Sequence, residues 1–150
     1  MKIVKSFLAA GLLAINAGVS AEEAAEITVY RSPTCSCCEK WLTHLQQDKF
    51  TVKDIVTGDI QAIKAKYGVT AELASCHTAI INGYVIEGHV PAGDIRTLLK
   101  SKPKVAGIAV PGMPAGTPGM EMGAKKEAYD VVSFDAGHRM QVFNSYQGSQ

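Results

Sequence analysis

The chain has 150 residues, with 15 Lys+Arg against 14 Asp+Glu and a formal net charge of +1. That balance excludes the basic surface of a nucleic-acid binder and the cationic face of a membrane-surface protein. The length allows one domain with one core, and four cysteines turn attention to disulfide or metal chemistry.

In chain order, the first feature is an export signal. Lys2 and Lys5 precede an apolar run, Phe7 to Ile15, and Val19-Ser20-Ala21 has the small-x-small pattern of a signal-peptidase site. The run is shorter than the ~20 residues that span a bilayer, so a cleaved signal peptide over residues 1–21 is predicted, not an anchor. No cysteine lies near the cleavage site to carry a lipid. Cleavage removes two lysines and no acid, leaving 13 basic against 14 acidic residues and a net charge of −1 on residues 22–150. This is a single exported domain, expected in the periplasm. In such a chain the plain reading of an even cysteine count is a pair of disulfides, Cys35–Cys38 and Cys37–Cys76.

Ile27 and Val29 alternate with Thr28 and Tyr30, which predicts a strand broken by Ser32-Pro33-Thr34. A helix follows, with Cys38, Leu42 and Leu45 at helical spacing. Ser36 and Glu39 fit a capping box, and Thr34 is an alternative cap. Phe50 and Val52 open a second strand that runs to about Val56. Asp59 caps a second helix carrying Ile60, Ile63 and Tyr67, and Gly68 ends it. Asn82-Gly83, between Thr78–Ile81 and Tyr84–Ile86, predicts a hairpin with a type I′ turn. Pro91 opens a third helix bearing Ile95, Leu98 and Leu99, and Pro103 ends it. The order β-α-β-α-β-β-α predicts an α/β fold of thioredoxin-like type, its two leading strands parallel through a right-handed crossover. Residues 105–123, rich in Gly, Pro and Met, predict an irregular loop. Tyr129–Phe134 and Met140–Phe143 predict a C-terminal β-hairpin, with Met140 and Val142 on one face of the last strand.

The cysteines carry the chemistry. Cys35 and Cys38 are spaced C-x-x-C at a strand-to-helix junction, where the helix dipole and free N–H groups favour thiolate. Thiolate is both nucleophile and metal ligand, so the motif alone permits a thiol–disulfide oxidoreductase or a binding site. Cys37 adds a third thiol, which a two-electron dithiol does not need. Successive helical residues project about 100° apart, so the predicted thiolates fan out and favour bridging several ions. Ser75-Cys76-His77-Thr78 adds a fourth thiol and an imidazole where a thioredoxin-like chain usually has a cis-proline. Non-proline cis bonds are rare, so a different local backbone is expected.

Four thiolates can hold zinc or an iron–sulfur cluster. Zinc prefers two well-separated ligand pairs, and an iron–sulfur cluster fits poorly with export of an unfolded chain. Soft thiolate and thioether ligands favour Cu(I), including a multinuclear arrangement. Met113, Met120 and Met122 lie in the Gly/Pro-rich segment and are candidate ligands that guard or feed the site; the alternative is that they plug the loop against the domain. The metal set is therefore Cys35, Cys37, Cys38, Cys76, His77, Met113, Met120 and Met122. His89 is a secondary candidate ahead of the third helix. His44 is expected to face solvent, and His138 sits in a hairpin turn.

Four blocks in order carry a family resemblance. They are Ser32-Pro33-Thr34-Cys35-Ser36-Cys37-Cys38, Ser75-Cys76-His77-Thr78-Ala79, Gly83 to Ala92, and Ala109-Val110-Pro111-Gly112-Met113-Pro114. Together they resemble the periplasmic metal-binding proteins grouped with CopG-type copper-resistance proteins. The resemblance implies a thioredoxin-like fold, copper binding through Cys35, Cys37, Cys38 and Cys76, and a role in copper resistance. Ser36 stands where the family usually has Gly, a change that leaves the thiols intact. The expected function is copper binding with Cu(I)/Cu(II) redox activity within reach. The rivals are a dithiol oxidoreductase using Cys35 and Cys38, and a chaperone handing copper to an exporter, an oxidase or another periplasmic copper protein.

Overall fold

The computed structural model describes residues 25–149. The predicted signal peptide lies outside the described residues. The first seven elements are β1 (Glu26–Arg31), α1 (Ser36–Gln47), β2 (Thr51–Val56), α2 (Ile60–Lys66), β3 (His77–Ile81), β4 (Tyr84–Glu87) and α3 (Ala92–Ser101). They follow the β-α-β-α-β-β-α order read from periodicity. Three strands complete the chain: β5 (Gly107–Ala109), β6 (Tyr129–Phe134) and β7 (Met140–Tyr146).

All seven strands form one mixed sheet in the order β2-β1-β3-β4-β5-β6-β7. β1 and β2 are parallel, as are β4 and β5, and the other neighbours are antiparallel. The side-chain period of two splits the core between the faces. Ile27, Val29, Ala79, Ile81, Ile86 and Ile108 meet Trp41, Leu42 and Leu45 of α1 and Ile95 and Leu98 of α3. Val85, Ala109 and Phe134 meet Val69 and Leu73 in a second cluster, joined by Tyr67 and Ile80. β3 and β4 feed both clusters, as near-continuous apolar strands covered on both sides should.

Local signals behave as their chemistry requires at several positions. Asp59 caps α2 by accepting a hydrogen bond from the Ala62 amide at 2.9 Å. Asn82 and Gly83 have φ of 48° and 83°, the left-handed pair of a type I′ turn. Gly68 continues from α2 at φ 70°.

Other expectations are corrected. α1 begins at Ser36 with Cys35 as its N-cap and no side-chain capping bond, so neither Ser36 nor Thr34 caps it. Thr34 is engaged with Ser32 in the preceding turn. Residues 105–123 are not wholly irregular, because β5 lies among them. Gly107 is what lets β5 lie so close to β4: a Cβ there would fall 2.0 Å from the Val85 carbonyl oxygen. β7 is longer than predicted, and Met140 and Val142, 44% and 62% exposed, lie on an open face of it. Among the described residues no helix is long and apolar enough to cross a membrane.

Candidate metal centre

Strand register brings the site together. β1 and β3 run antiparallel with Arg31 opposite His77, so the end of β1 and the start of β3 share one end of the sheet. The β3–β4 register places Thr78 opposite Glu87, and the parallel β4–β5 pair places Glu87 opposite Ala109. The segments leading away from these strands carry Cys35, Cys76, His89 and Gly112. Residues far apart in sequence therefore converge because their strands start or stop at the same end of the sheet.

Four sulfurs meet there. The Sγ atoms of Cys35, Cys37, Cys38 and Cys76 all lie within 4.8 Å of one another. Cys35 and Cys38 are joined by a disulfide, while Cys37 and Cys76 are free thiols. Cys37 Sγ is 3.4 Å from Cys35 Sγ and 3.8 Å from Cys76 Sγ. The predicted fanning of thiolates is corrected here. Cys35 is the cap rather than a helical residue, so the 100° step does not govern its place relative to Cys37 and Cys38. Of the two disulfides open on cysteine count, the structure has Cys35–Cys38 and leaves the second pair as thiols.

A second donor group shares Cys76. Cys76 Sγ, one nitrogen of His77 and one nitrogen of His89 also lie within 4.8 Å of one another. Cys76 Sγ is 3.3 Å from His77 Nδ1 and 3.0 Å from His89 Nε2. The tautomer of His89 is fixed by its surroundings. Its Nδ1 lies 2.7 Å from the Pro118 carbonyl, which can only accept, so Nδ1 carries the proton and Nε2 offers its lone pair towards Cys76. His77 is wholly buried, and its Nε2 has no hydrogen-bond partner among the described residues. An unsatisfied buried imidazole nitrogen costs free energy unless something binds it.

The site's electrostatics disfavour charge in the metal-free state. Burial, then the neighbouring Cys37, pushes the Cys76 thiol up to about 12. Burial holds His77 well below the usual histidine range, with His89 and Lys64 adding to the effect. Burial also lowers His89, against the opposing influence of the Pro118 carbonyl and Glu121. Both imidazoles are therefore neutral, as ligands must be. Cys76 must lose its proton to bind a metal.

Trp41 locks the inner wall. Its ring lies 4.3 Å from the His77 ring, and its Nε1 donates to the Val90 carbonyl at 2.9 Å. The His77 and His89 rings meet edge-on at 4.9 Å. On the outer side the Gly/Pro/Met-rich segment straps the site at two points. Ser75 donates through Oγ to the Gly112 carbonyl, and the Gly112 amide donates to the Ala74 carbonyl at 3.1 Å. Gly119 packs so closely that a Cβ would lie 2.9 Å from the Cys37 carbonyl and 3.2 Å from His89 Nδ1.

The candidate methionines follow these strap points in sequence. Met113 and Met122 are 53% and 71% exposed, and Met120 is half-buried. His44, expected in solvent, is half-buried instead. Its Nε2 accepts from the Ala92 amide at 3.0 Å and satisfies the first turn of α3. His138 is at the β6–β7 turn with φ 61°. The backbone at the expected cis-proline position is ordinary in one respect: no peptide bond among the described residues is cis.

The chain shares this architecture with known proteins. Residues 73–120 match a sequence family described as a protein of unknown function, DUF411. A solved structure of a copper resistance protein, CopG, in its form 1, is 44% identical with a TM-score of 0.80, covering 84% of this chain and 100% of that one. Its form 2 is 43% identical with a TM-score of 0.79, covering 83% and 99%. No curated protein matches the chain.

Proposed function

The chain belongs to the family of CopG copper resistance proteins, and from that premise we propose that it is a periplasmic copper-binding protein of copper resistance. Residues 1–21 would serve as its export signal and residues 22–150 as one thioredoxin-like domain. Copper is its cargo. Reduced, the site offers Cys35, Cys37, Cys38 and Cys76 as thiolates, with His77 beside them and His89 as a further donor. The observation that carries this reading is the convergence of four sulfurs within 4.8 Å, with two buried neutral imidazoles on one of them. Thiolate selects Cu(I), and imidazole tolerates Cu(II). A mixed set therefore suits an ion that changes oxidation state. The sulfurs do not fan out, so nuclearity rests on thiolate chemistry alone: four thiolates with soft neighbours can bridge more than one Cu(I) per chain. Met113 and Met122, exposed on the strap, would collect or pass on Cu(I), and Met120 would close over it. The recipient would be a copper exporter, an oxidase or another periplasmic copper protein.

The test is an anaerobic titration of the fully reduced protein against a competing Cu(I) chelator, with metal content measured in parallel. More than one tightly held Cu(I) per chain is expected, and saturation at a single ion sinks the multinuclear reading.

One observation favours a second reading. The Cys35–Cys38 disulfide is what a dithiol oxidoreductase would carry in its oxidised state. Cys37→Ser separates the two functions. A copper protein should lose affinity severely, while a dithiol reductase working through Cys35 and Cys38 should keep its activity. Unchanged copper binding together with strong disulfide reduction that depends only on Cys35 and Cys38 would establish the oxidoreductase instead.

A further inference from the structure

Behind the donors lies a charged group that copper binding does not itself require. Glu87 is wholly buried at the end of β4, and Lys64 of α2 is 3% exposed. Lys64 Nζ donates to Glu87 Oε1 and, at 3.1 Å, to Thr78 Oγ1. Glu87 Oε1 also accepts from the Ser75 amide at 2.7 Å, and Glu87 Oε2 accepts from Thr78 Oγ1 at 2.6 Å.

A buried ion pair is a poor way to stabilise a core. Desolvation offsets most of the attraction, and an apolar pair of similar volume is often as stable or more so. The placement of this pair accounts for it better than stability does. One carboxylate grips Ser75 and Thr78, the residues on either side of Cys76-His77. The same Glu87 stands two residues before His89, and the adjoining Gly88 amide donates to the His77 carbonyl at 3.1 Å. No side chain fits at Gly88, because a Cβ would lie 2.6 Å from both Ser75 and the Val110 carbonyl.

We propose that Lys64 and Glu87 are positioning residues that hold Cys76, His77 and His89 in ligating arrangement before metal arrives. The carboxylate fixes the Cys76-His77 segment through its two hydrogen bonds. Lys64 makes the buried carboxylate tolerable by neutralising it and by bonding the same threonine. The inference rests on reading Cys76 and the two imidazoles as copper donors. Donors held by a fixed outer layer of hydrogen bonds bind metal about 10–100-fold better than donors without one.

Single substitutions would strand one buried charge and are unsuitable. The test compares two charge-free double variants in the full mature chain. Lys64→Met with Glu87→Gln keeps an amide that can accept from Ser75 and donate to Thr78. Lys64→Met with Glu87→Leu keeps neither bond. Both should melt cooperatively. In metal-free protein, amide exchange at Ser75 should quicken about tenfold in the leucine variant, the loss of one hydrogen bond, and stay near wild type in the glutamine variant. Cu(I) affinity should follow the same order, falling ~10–100-fold only in the leucine variant. Wild-type exchange in the leucine variant overturns the proposal, as do equal losses in both variants. A wild-type protein that takes up no Cu(I) would instead sink the copper reading, and the exchange comparison would still decide the anchor.

Discussion

At the residue scale the metal-free site is held uncharged, and this predicts that both the proposed copper binding and stability depend on pH. The Cys76 thiol, raised to about 12 by burial and by Cys37, is protonated at neutral pH. Copper bound there would have to displace that proton, so on the proposed function Cu(I) affinity should rise by about tenfold for each pH unit for every thiol deprotonated on binding. Chelator competition between pH 6 and 8 reads this slope, and a flat profile would remove Cys76 from the ligand set. The histidines act in the opposite range. Their folded pKa values lie below the unfolded value, so their contribution is present above about 6.5 and lost as pH falls below it, when only the unfolded chain takes up protons. Metal-free protein should therefore weaken between pH 7 and 5, and a His77→Gln, His89→Gln double variant should show a shallower loss. Much of the cluster that the structure brings together was legible in sequence, since Cys37 inside C-x-x-C and Cys76-His77 at the proline position are local patterns. His89 was harder to place, because its role depends on the Pro118 carbonyl, 29 residues away, fixing its tautomer. Lys64 and Glu87 gave no sign, because a buried ion pair and a solvated helix face use the same residue types.

The elements were legible where one residue's chemistry decides the local backbone. Asp59, Asn82-Gly83 and Gly68 work through their own side chain or φ, so they read correctly without tertiary context. β5 did not, because it is three residues long and exists through pairing with β4 and β6 rather than through propensity. The start of α1 also misled, since Ser36 has the residue type of a cap while the chain turns one residue earlier. The strap between β5 and β6 is the element where structure and function meet most directly. Gly119 has φ +86° and sits against the Cys37 carbonyl, the Trp41 amide and His89 Nδ1. An alanine there meets backbone on two sides in a conformation that L residues rarely adopt. Gly119→Ala should therefore lift the strap, break the Pro118–His89 hydrogen bond and cost about 1–3 kcal/mol of stability. The same substitution at Gly123, where a Cβ meets nothing within 4 Å and φ is +91°, is the control for backbone strain alone. Copper affinity should drop in the first variant and hold in the second. Equal affinities would mean that the strap covers the site without shaping it.

At the scale of the molecule, the question is whether the cysteines hold the fold together or the fold holds the cysteines. The sheet and its two apolar clusters extend from β2 to β7, and the disulfide joins residues only three apart at one end of them. Closing so short a loop removes little entropy from the unfolded chain, about 2 kcal/mol at most on the chain-entropy account. Reduction should therefore leave a folded protein that melts a few degrees lower. This is the behaviour a binding site needs, because Cys35 and Cys38 become available only when the disulfide opens. Metal bound there would stabilise the reduced form by mass action, by about 2.7 kcal/mol when free ligand exceeds Kd 100-fold. The midpoints should rank reduced without metal lowest, the disulfide form next and reduced with Cu(I) highest. Thermal melts of the three states, with thiol counts before and after, test the order. If reduction alone unfolds the chain, the cysteines are a structural staple. If Cu(I) fails to raise the reduced form above the disulfide form, the sulfurs that meet at this end of the sheet are not built for copper.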